Sequence, residues 1–475
     1  MAALPSYYSI SGTFASFPST LQNVIQQGFI EREFEEGLAS VLAYAREALL
    51  EVVPARVGET LTRTRIGWLV PNPNAISPAA ANLGLDNGLT PQQFALEQYT
   101  YVMKNYAGTF DLNLLQERAA AADVLIADER RMGVQAAQTL DILAQNALFA
   151  AYLGGNTRVR GDIAVSTTTS CHVDDIRGFS TVLVNGAQTP VSGASPLTAY
   201  EYPGTTSGTT QTLQITGAAA DAINSSSVPS GISGVLTFNA VATAPVSGDA
   251  IISSVARKPI RPRGEITTAQ LKRGSNFSTS MILDGVARLR LDGVPTMKDG
   301  TYHLIMDDYS QRQLFADQDF KVWWAGREQS TEVRNGYIVP QLLGVTFITT
   351  TQAIPQAPYI GNNAVGTAID APNQVTATVR RPILLGGECL LRGDFEGLED
   401  WINRQGINPI GTIALINGIA HSLRPPIDRA QQIVSGTWWW VGGFVCPTDA
   451  TATPSIIPTA SNALVKRAVV FEHAS

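Results

Sequence analysis

The acidic pair Asp307-Asp308 follows a strand-like run at 301–306 and precedes a helix-like segment, YSQRQLFAD. Two carboxylates there would hold a metal, or work as acid and base, if a second acid or base stood beside them. No local motif supplies one. A short acid at a helix start instead accepts backbone N–H bonds and meets the positive end of the helix dipole. The expectation is a helix cap at Asp307 or Asp308. The other reactive residues are dispersed. His172, His303, His421 and His473 have no Cys or carboxylate at catalytic spacing. Cys171, Cys389 and Cys446 lack the spacing of a zinc site or a disulfide framework and read as structural thiols. GxGxxG, P-loop, GxSxG and HExxH patterns are absent. RGD occurs at 160–162 and 392–394, a tripeptide frequent by chance. Trp438-Trp439-Trp440 alternates across a strand, which points to core on one face and interface on the other. No catalytic, cofactor-binding or metal residue is assigned, and the chain is read as not an enzyme.

The elements that position these residues come from a chain of 475 residues, 44% hydrophobic and 15% charged. That length builds two or three domains. The low charge implies surface covered by partners. A net charge of −7 and a pI of about 5.3 argue against a dedicated nucleic-acid binder, which carries a basic face. They are compatible with a protein that encloses DNA without sequence-specific binding. No apolar run reaches the ~18 residues of a membrane span, so no membrane partner is expected. The uncharged start, MAALPSYYSISGTFASFPST, is not a signal peptide and reads as an extended arm that needs a surface to lie on.

Apolar residues at helical spacing, among them Leu21, Ile25, Phe29, Leu38, Leu42 and Leu49, predict a helix over 20–53, ended by Pro54. Two strand-like runs, TLTRTRIGWLV and FALEQYTYVMKNYAGTF, flank a turn-rich tip and predict a protruding hairpin over 55–111. Such a hairpin is rarely stable alone. The stripe Leu115, Ala119, Ala122, Ile126, Met132, Ala136, Leu140, Leu143 and Ala147 predicts a helix over 112–153, stopped by Gly154-Gly155. It would be roughly 60 Å long at 1.5 Å per residue, the length of a spine. Residues 156–262 alternate short β-like runs with Gly, Ser, Pro and Asn turns and read as an all-β insertion. Between Arg177 and Arg257 its only charged side chains are Glu201, Asp221 and Asp249. With no cation it is a poor candidate for touching DNA, and an outer-face position is expected. Helix returns after Ile266.

The order that follows is a helix, GVPTMKDGTYHLIMDDYSQRQLFADQDF, a loop, and NGYIVPQLLGVTFITTTQAIP. With its Asn335-Gly336 turn and Gly344-Val345 strand, this resembles the strand–helix–loop–strand pattern of tailed-phage major capsid proteins of the HK97-like fold. It is most similar to the branch named after the phage N4 capsid protein. The later RPPIDRAQQIVSGTWWWVGGF is similar to that branch's closing strand. The resemblance implies an α+β chain divided into an N-terminal arm and helix (1–54), an E-loop (55–111), a P-domain spine helix (112–155), an inserted β domain (156–262), an A-domain (263–422) and P-domain closing strands (423–475). It further implies self-assembly through hexameric and pentameric capsomers into an icosahedral shell around double-stranded DNA. The implied partners are a separate scaffolding protein, a portal and cement or decoration proteins. Assembly would take place in the host bacterial cytoplasm and the product would be the virion. With the chain running from Met1, no removed scaffolding segment is expected. The other classes weighed are a secreted surface-layer or adhesion protein, for which a signal peptide is missing, and an enzyme with a dispersed site.

Overall fold

Met132, Ala136 and Leu140 form the buried stripe of the longest helix. In the computed structural model, the described residues are 29–39, 42–54, 60–66, 96–113, 121–160, 166–184, 187–203, 210–220, 231–262, 265, 271, 274–325, 344–351, 353, 379–398, 413–424, 433–447, 449–450, 456–457 and 466–474. Helix α1 spans Phe29–Ala39 and helix α2 spans Ala121–Leu153, 33 residues or about 50 Å. The two cross at backbone contact. A side chain on Gly133 would strike the Phe34 carbonyl, and one on Gly37 the Arg130 carbonyl. Glycine is required there because nothing larger than hydrogen fits.

The helix predicted over 20–53 is shorter, and its end becomes sheet. A 3₁₀ turn, Ala45–Glu47, leads into strand β1, Leu49–Val53. Asp141 of α2 breaks the helix by accepting the backbone N–H groups of Ala43, Tyr44 and Ala45 at 3.0, 2.6 and 3.0 Å. Strands β2 (Thr60–Ile66) and β3 (Leu96–Val102) form the predicted two-stranded ribbon. The next stretch leaves it as β4, Lys104–Asn113. Leu112, placed by periodicity in the long helix, is therefore strand. The N-terminal arm, the hairpin tip, the start of the 112–153 helix at 114–120, the segment 266–270, the Asn335-Gly336 turn and 425–432 lie outside the described residues.

After α2, the chain forms β5 (Asn156–Arg160), β6 (Ser170–Val173), a hairpin of β7 (Thr181–Val184) and β8 (Ala187–Pro190), β9 (Leu197–Tyr202), β10 (Gln211–Ala220), β11 (Gly234–Phe238) and β12 (Ala250–Ser253). Six of these close into a barrel in the order β10-β11-β6-β5-β12-β9. Closure leaves the barrel no free edge. Its interior is filled by Val159, Val173, Phe179, Leu213, Leu236 and their neighbours, so it is a packed core. The cations flanking the cation-free stretch sit at its root. Arg177 pairs with Asp175 at 2.8 Å, Arg158 with Asp174 at 2.7 Å, and Arg257 with Asp292 at 2.7 Å.

Helix α3 (Thr279–Leu291) starts later than the helix expected after Ile266, because 274–278 are not helical and Ser278 is extended. Strand β13 (Tyr302–Met306), helices α4 (Asp308–Ala316) and α5 (Gln318–Ala325) and strand β14 (Val345–Thr349) follow in the expected order. β13 and β14 pair in parallel. A short β15 (Val379–Arg380) precedes β16 (Ile383–Leu385). Strands β17 (Leu391–Phe395), β18 (Ile413–Ile416), β19 (Ile419–Arg424) and β20 (Ile433–Val445) come next, then the two-residue pair β21 (Asp449–Ala450) and β22 (Ile456–Ile457). The described chain ends with β23 (Ala468–Val470) and β24 (His473–Ala474).

The segment 466–474 departs from the expected closing strands. β23 joins β16 in the sheet β14-β13-β16-β23, and β24 pairs with β15. Alternating burial explains the choice. Ala468 and Val470 face one core with Ile305, Ile383 and Leu385, while Val469 and Phe471 face a second with Leu304 and Leu384. A strand apolar on both faces fits only a sheet covered on both sides.

Candidate functional site

Strand β20 organises the larger sheet. Gly442 pairs with both Lys104 of β4 and Asp394 of β17, and Trp439 with both Ala107 of β4 and Ala420 of β19. So β4 runs along one edge of β20, and β17 and β19 lie end to end on the other. β1 extends the sheet beside β17, and β18 beside β19. Helix α2 lies along one face. The Trp438 indole reaches Gln135, Glu129 meets His421 at 2.8 Å, and the Cys446 thiol meets the Ala147 carbonyl. Those contacts span about 27 Å of helix. The other face is polar and open. Asn105, Ala107, Thr109 and Asp111 are exposed, and Ser435, Thr437, Trp439 and Val441 half-buried. The tryptophan run divides as alternation predicts. Trp438 and Trp440 are buried on the helix side, with the Trp440 indole donating to Asp394 at 3.2 Å, and Trp439 faces the open side.

The ribbon β2–β3 is fastened to this sheet at its root. Leu61 packs with Leu49, Leu391 and Val445, and Arg63 pairs with Glu51 at 2.6 Å. Asp141 anchors the turn before β1. Burial raises its carboxyl above the usual range, against the three amides that stabilise its charge. Sequence reading missed Asp141, since an acid inside a helical run looks like surface. Its place beside Leu140 on the buried stripe is the only local signal.

The acidic pair at 307–308 resolves into one cap and one surface residue. Asp307 accepts from the Ser310 N–H at 3.1 Å, while Asp308 is exposed. The fold adds a base that no local motif contained. Ser310 Oγ donates to Asp307 and lies 2.7 Å from His473 Nε2, and Arg380 pairs with the second Asp307 oxygen at 3.1 Å. Because the single hydroxyl proton goes to the carboxylate, His473 must donate from Nε2. Burial, outweighing the attraction of Asp307, lowers His473 to about 4, so the ring is neutral. A ring that donates to the serine cannot take its proton, and Ser310 and His473 are fully buried. The trio is a fastening for the chain's last strand.

His303 sits between Glu47 of the 3₁₀ turn, on Nδ1, and Asp299, 2.8 Å from Nε2. Burial pulls its pKa down, but the two carboxylate bonds and charges outweigh this and raise it. Asp299 is lowered to about 2 by the same contacts and by Thr301, against the opposing effect of burial. A raised imidazole stabilises fully below its ordinary value of 6.5 and loses that contribution as pH rises through its elevated value. His303→Gln should therefore lower stability by about 2 kcal/mol at about pH 5.5, the worth of a charged hydrogen bond, and the gap should narrow by about pH 9. Urea melts at both pH values check this. A gap that widens with pH would contradict the assignment.

The three cysteines are unpaired and buried, and burial pushes Cys171 and Cys389 up to about 12. The second RGD is strand. Its Arg392 binds Asp394 and the Asn417 carbonyl and lies over Trp440, so it is committed within the fold. In the first, Gly161 and Asp162 lie outside the described residues. Among the described residues no three His, Cys, Asp or Glu side chains are arranged to hold a metal ion, and no helix is long and apolar enough to cross a membrane.

No protein-family profile and no curated protein matches the chain. Among solved structures it is similar to "Capsid of Ralstonia phage GP4", with 10% identity over 91% of this chain and 88% of that one and a TM-score of 0.45. It is also similar to "Cyanophage Pam1 capsid asymmetric unit", with 10% identity, 92% and 94% coverage and a TM-score of 0.44. A third is "Capsid structure of the Cyanophage P-SCSP1u", with 8% identity, 90% and 86% coverage and a TM-score of 0.43.

Proposed function

We propose that this chain is the major capsid protein of a tailed bacteriophage, assembling through hexamers and pentamers into an icosahedral shell around double-stranded DNA. The carrying observation is the two-stranded ribbon β2–β3, joined to the rest of the described chain by Leu61, by the Arg63–Glu51 pair and by the approach of β3 to β20 and β21, beside a sheet whose second face is open. A two-stranded ribbon is marginal in water, whereas the polar sheet face can stand in water and offers the half-buried Trp439 as an anchor for a partner. Repeated copies would support the ribbon, because heterologous contacts close into rings.

In this reading the ribbon is the E-loop, α2 the spine helix of a P-domain, and the sheet β14-β13-β16-β23 the core of an A-domain. The branch named after phage N4 is the proposed relative. A separate scaffold, a portal and cement proteins are the proposed partners, with assembly in the host cytoplasm. The barrel is placed on the outer face because its cations are confined to its root, leaving nothing to attract DNA.

Electron microscopy of the purified protein should show capsomers or closed shells. Small uniform particles under all assembly conditions would overturn the reading. Hydrogen exchange should be fast over 60–66 and 96–102 in free subunits and slow in shells. Equal protection in both states would remove the role given to the ribbon.

A further inference from the structure

One end of the barrel is polar where the rest of its interior is apolar. Glu201 follows Leu197 and Ala199 on the inward side of β9 and is 4% exposed. Glu201 stands opposite Ile251 in the β9–β12 ladder, which sets it diagonal to Asp249, 7% exposed and in contact with its carboxyl. Two buried carboxyls so placed repel when charged, which favours a proton held on Glu201. Gln211 of β10 donates from one amide nitrogen to Glu201 Oε2 and to the Thr243 carbonyl, both at 2.7 Å. Asp249 Oδ2 accepts from the Val246 N–H at 2.8 Å, and its carbonyl from the Val159 N–H at 2.7 Å. The pair thus stitches the segment 239–249, between β11 and β12, to β5, β9 and β10.

We propose that Glu201 and Asp249 are a proton-operated fastener, which holds the 239–249 segment over that end of the barrel while Glu201 keeps its proton and releases it when Glu201 ionises beside Asp249. The groups around Glu201 are these. β10 presents the neutral Gln211, and β12 places the apolar Ile251 opposite Glu201 in the ladder. β6 presents Cys171, whose thiol burial and the two carboxyls keep protonated. Arg158 of β5 is engaged by Asp174, and 178–256 contains no Lys or Arg. Burial first, and Asp249 as well, raise Glu201 from 4.5 to about 7, while the Gln211 bond opposes the rise. The folded barrel keeps a proton that the unfolded chain releases. The fastening is therefore complete below about 4.5 and lost as pH rises through about 7. The inference concerns the barrel alone and is independent of the shell reading.

The test is hydrogen exchange on the full chain at about pH 5.5 and about pH 8.5, expressed as protection factors to remove the intrinsic pH dependence of exchange. Protection at Val246 and over 249–252 should fall at least about tenfold at the higher pH, one unit of linkage. β6 and β11 should hold theirs. Glu201→Gln, which keeps the hydrogen bonds without the charge, should abolish the fall. Asp249→Asn should move it to lower pH, and this variant decides the matter if Glu201→Gln does not fold. A flat wild-type profile, an unchanged fall in Glu201→Gln, or an unmoved midpoint in Asp249→Asn would each overturn the proposal.

Discussion

Leu140→Asp should yield little or no soluble subunit, while Ile142→Asp on the same helix should fold. Leu140 is 1% exposed and belongs to the core that joins α1, α2 and the underside of β13 and β23. An aspartate there would be a buried charge beside Asp141, whose first oxygen is already committed to three amides. Burying an unpaired carboxylate costs several kcal/mol or forces its protonation, against a total stability of about 5–15 kcal/mol. Ile142 is 39% exposed, so the same substitution there tests helix propensity without burial and should stay within about 1 kcal/mol. Leu140→Ala should fall between, at about 2–5 kcal/mol. Soluble yield and urea melts separate the three. Equal stability of the two aspartate variants would mean that the buried stripe is wrongly assigned.

Asp307→Ala should destabilise the subunit by about 3 kcal/mol, and Asp308→Ala by less than about 0.5 kcal/mol. The first change removes a helix cap, worth about 1 kcal/mol. It also leaves the buried Ser310 hydroxyl without its acceptor, a further loss of about 1–3 kcal/mol, and takes from Arg380 the carboxylate it pairs with. Asp307→Asn keeps an acceptor for the cap and should recover much of the loss. Because His473 is tied to Ser310, proteolysis near the C-terminal end should become faster in Asp307→Ala. If the two alanine variants melt together, the cap and the cluster contribute nothing measurable.

What the sequence determined by itself was what neighbours in the chain decide. The stripe of Met132, Ala136 and Leu140 specified a helix with one buried face, because side chains three and four apart share a face whatever packs on it. Alternation specified β13 and the division of Trp438, Trp439 and Trp440 between two faces. An acid between strand and helix specified a cap, and turn-rich spacing the all-β character of the stretch after α2. Tertiary structure decided what depends on partners far along the chain. LLEVV continued a helical pattern, yet it became β1 because β17 offered a parallel edge to its β-branched end and Asp141 captured the preceding amides. Leu112 went to strand because β20 paired with all of β4. His473 reached Ser310 across 163 residues, and Glu201 met Asp249 only when the barrel closed. Periodicity is a property of adjacent side chains, whereas strand pairing and buried charge contacts form only after the loops between them have closed, and no local pattern encodes which partner is waiting.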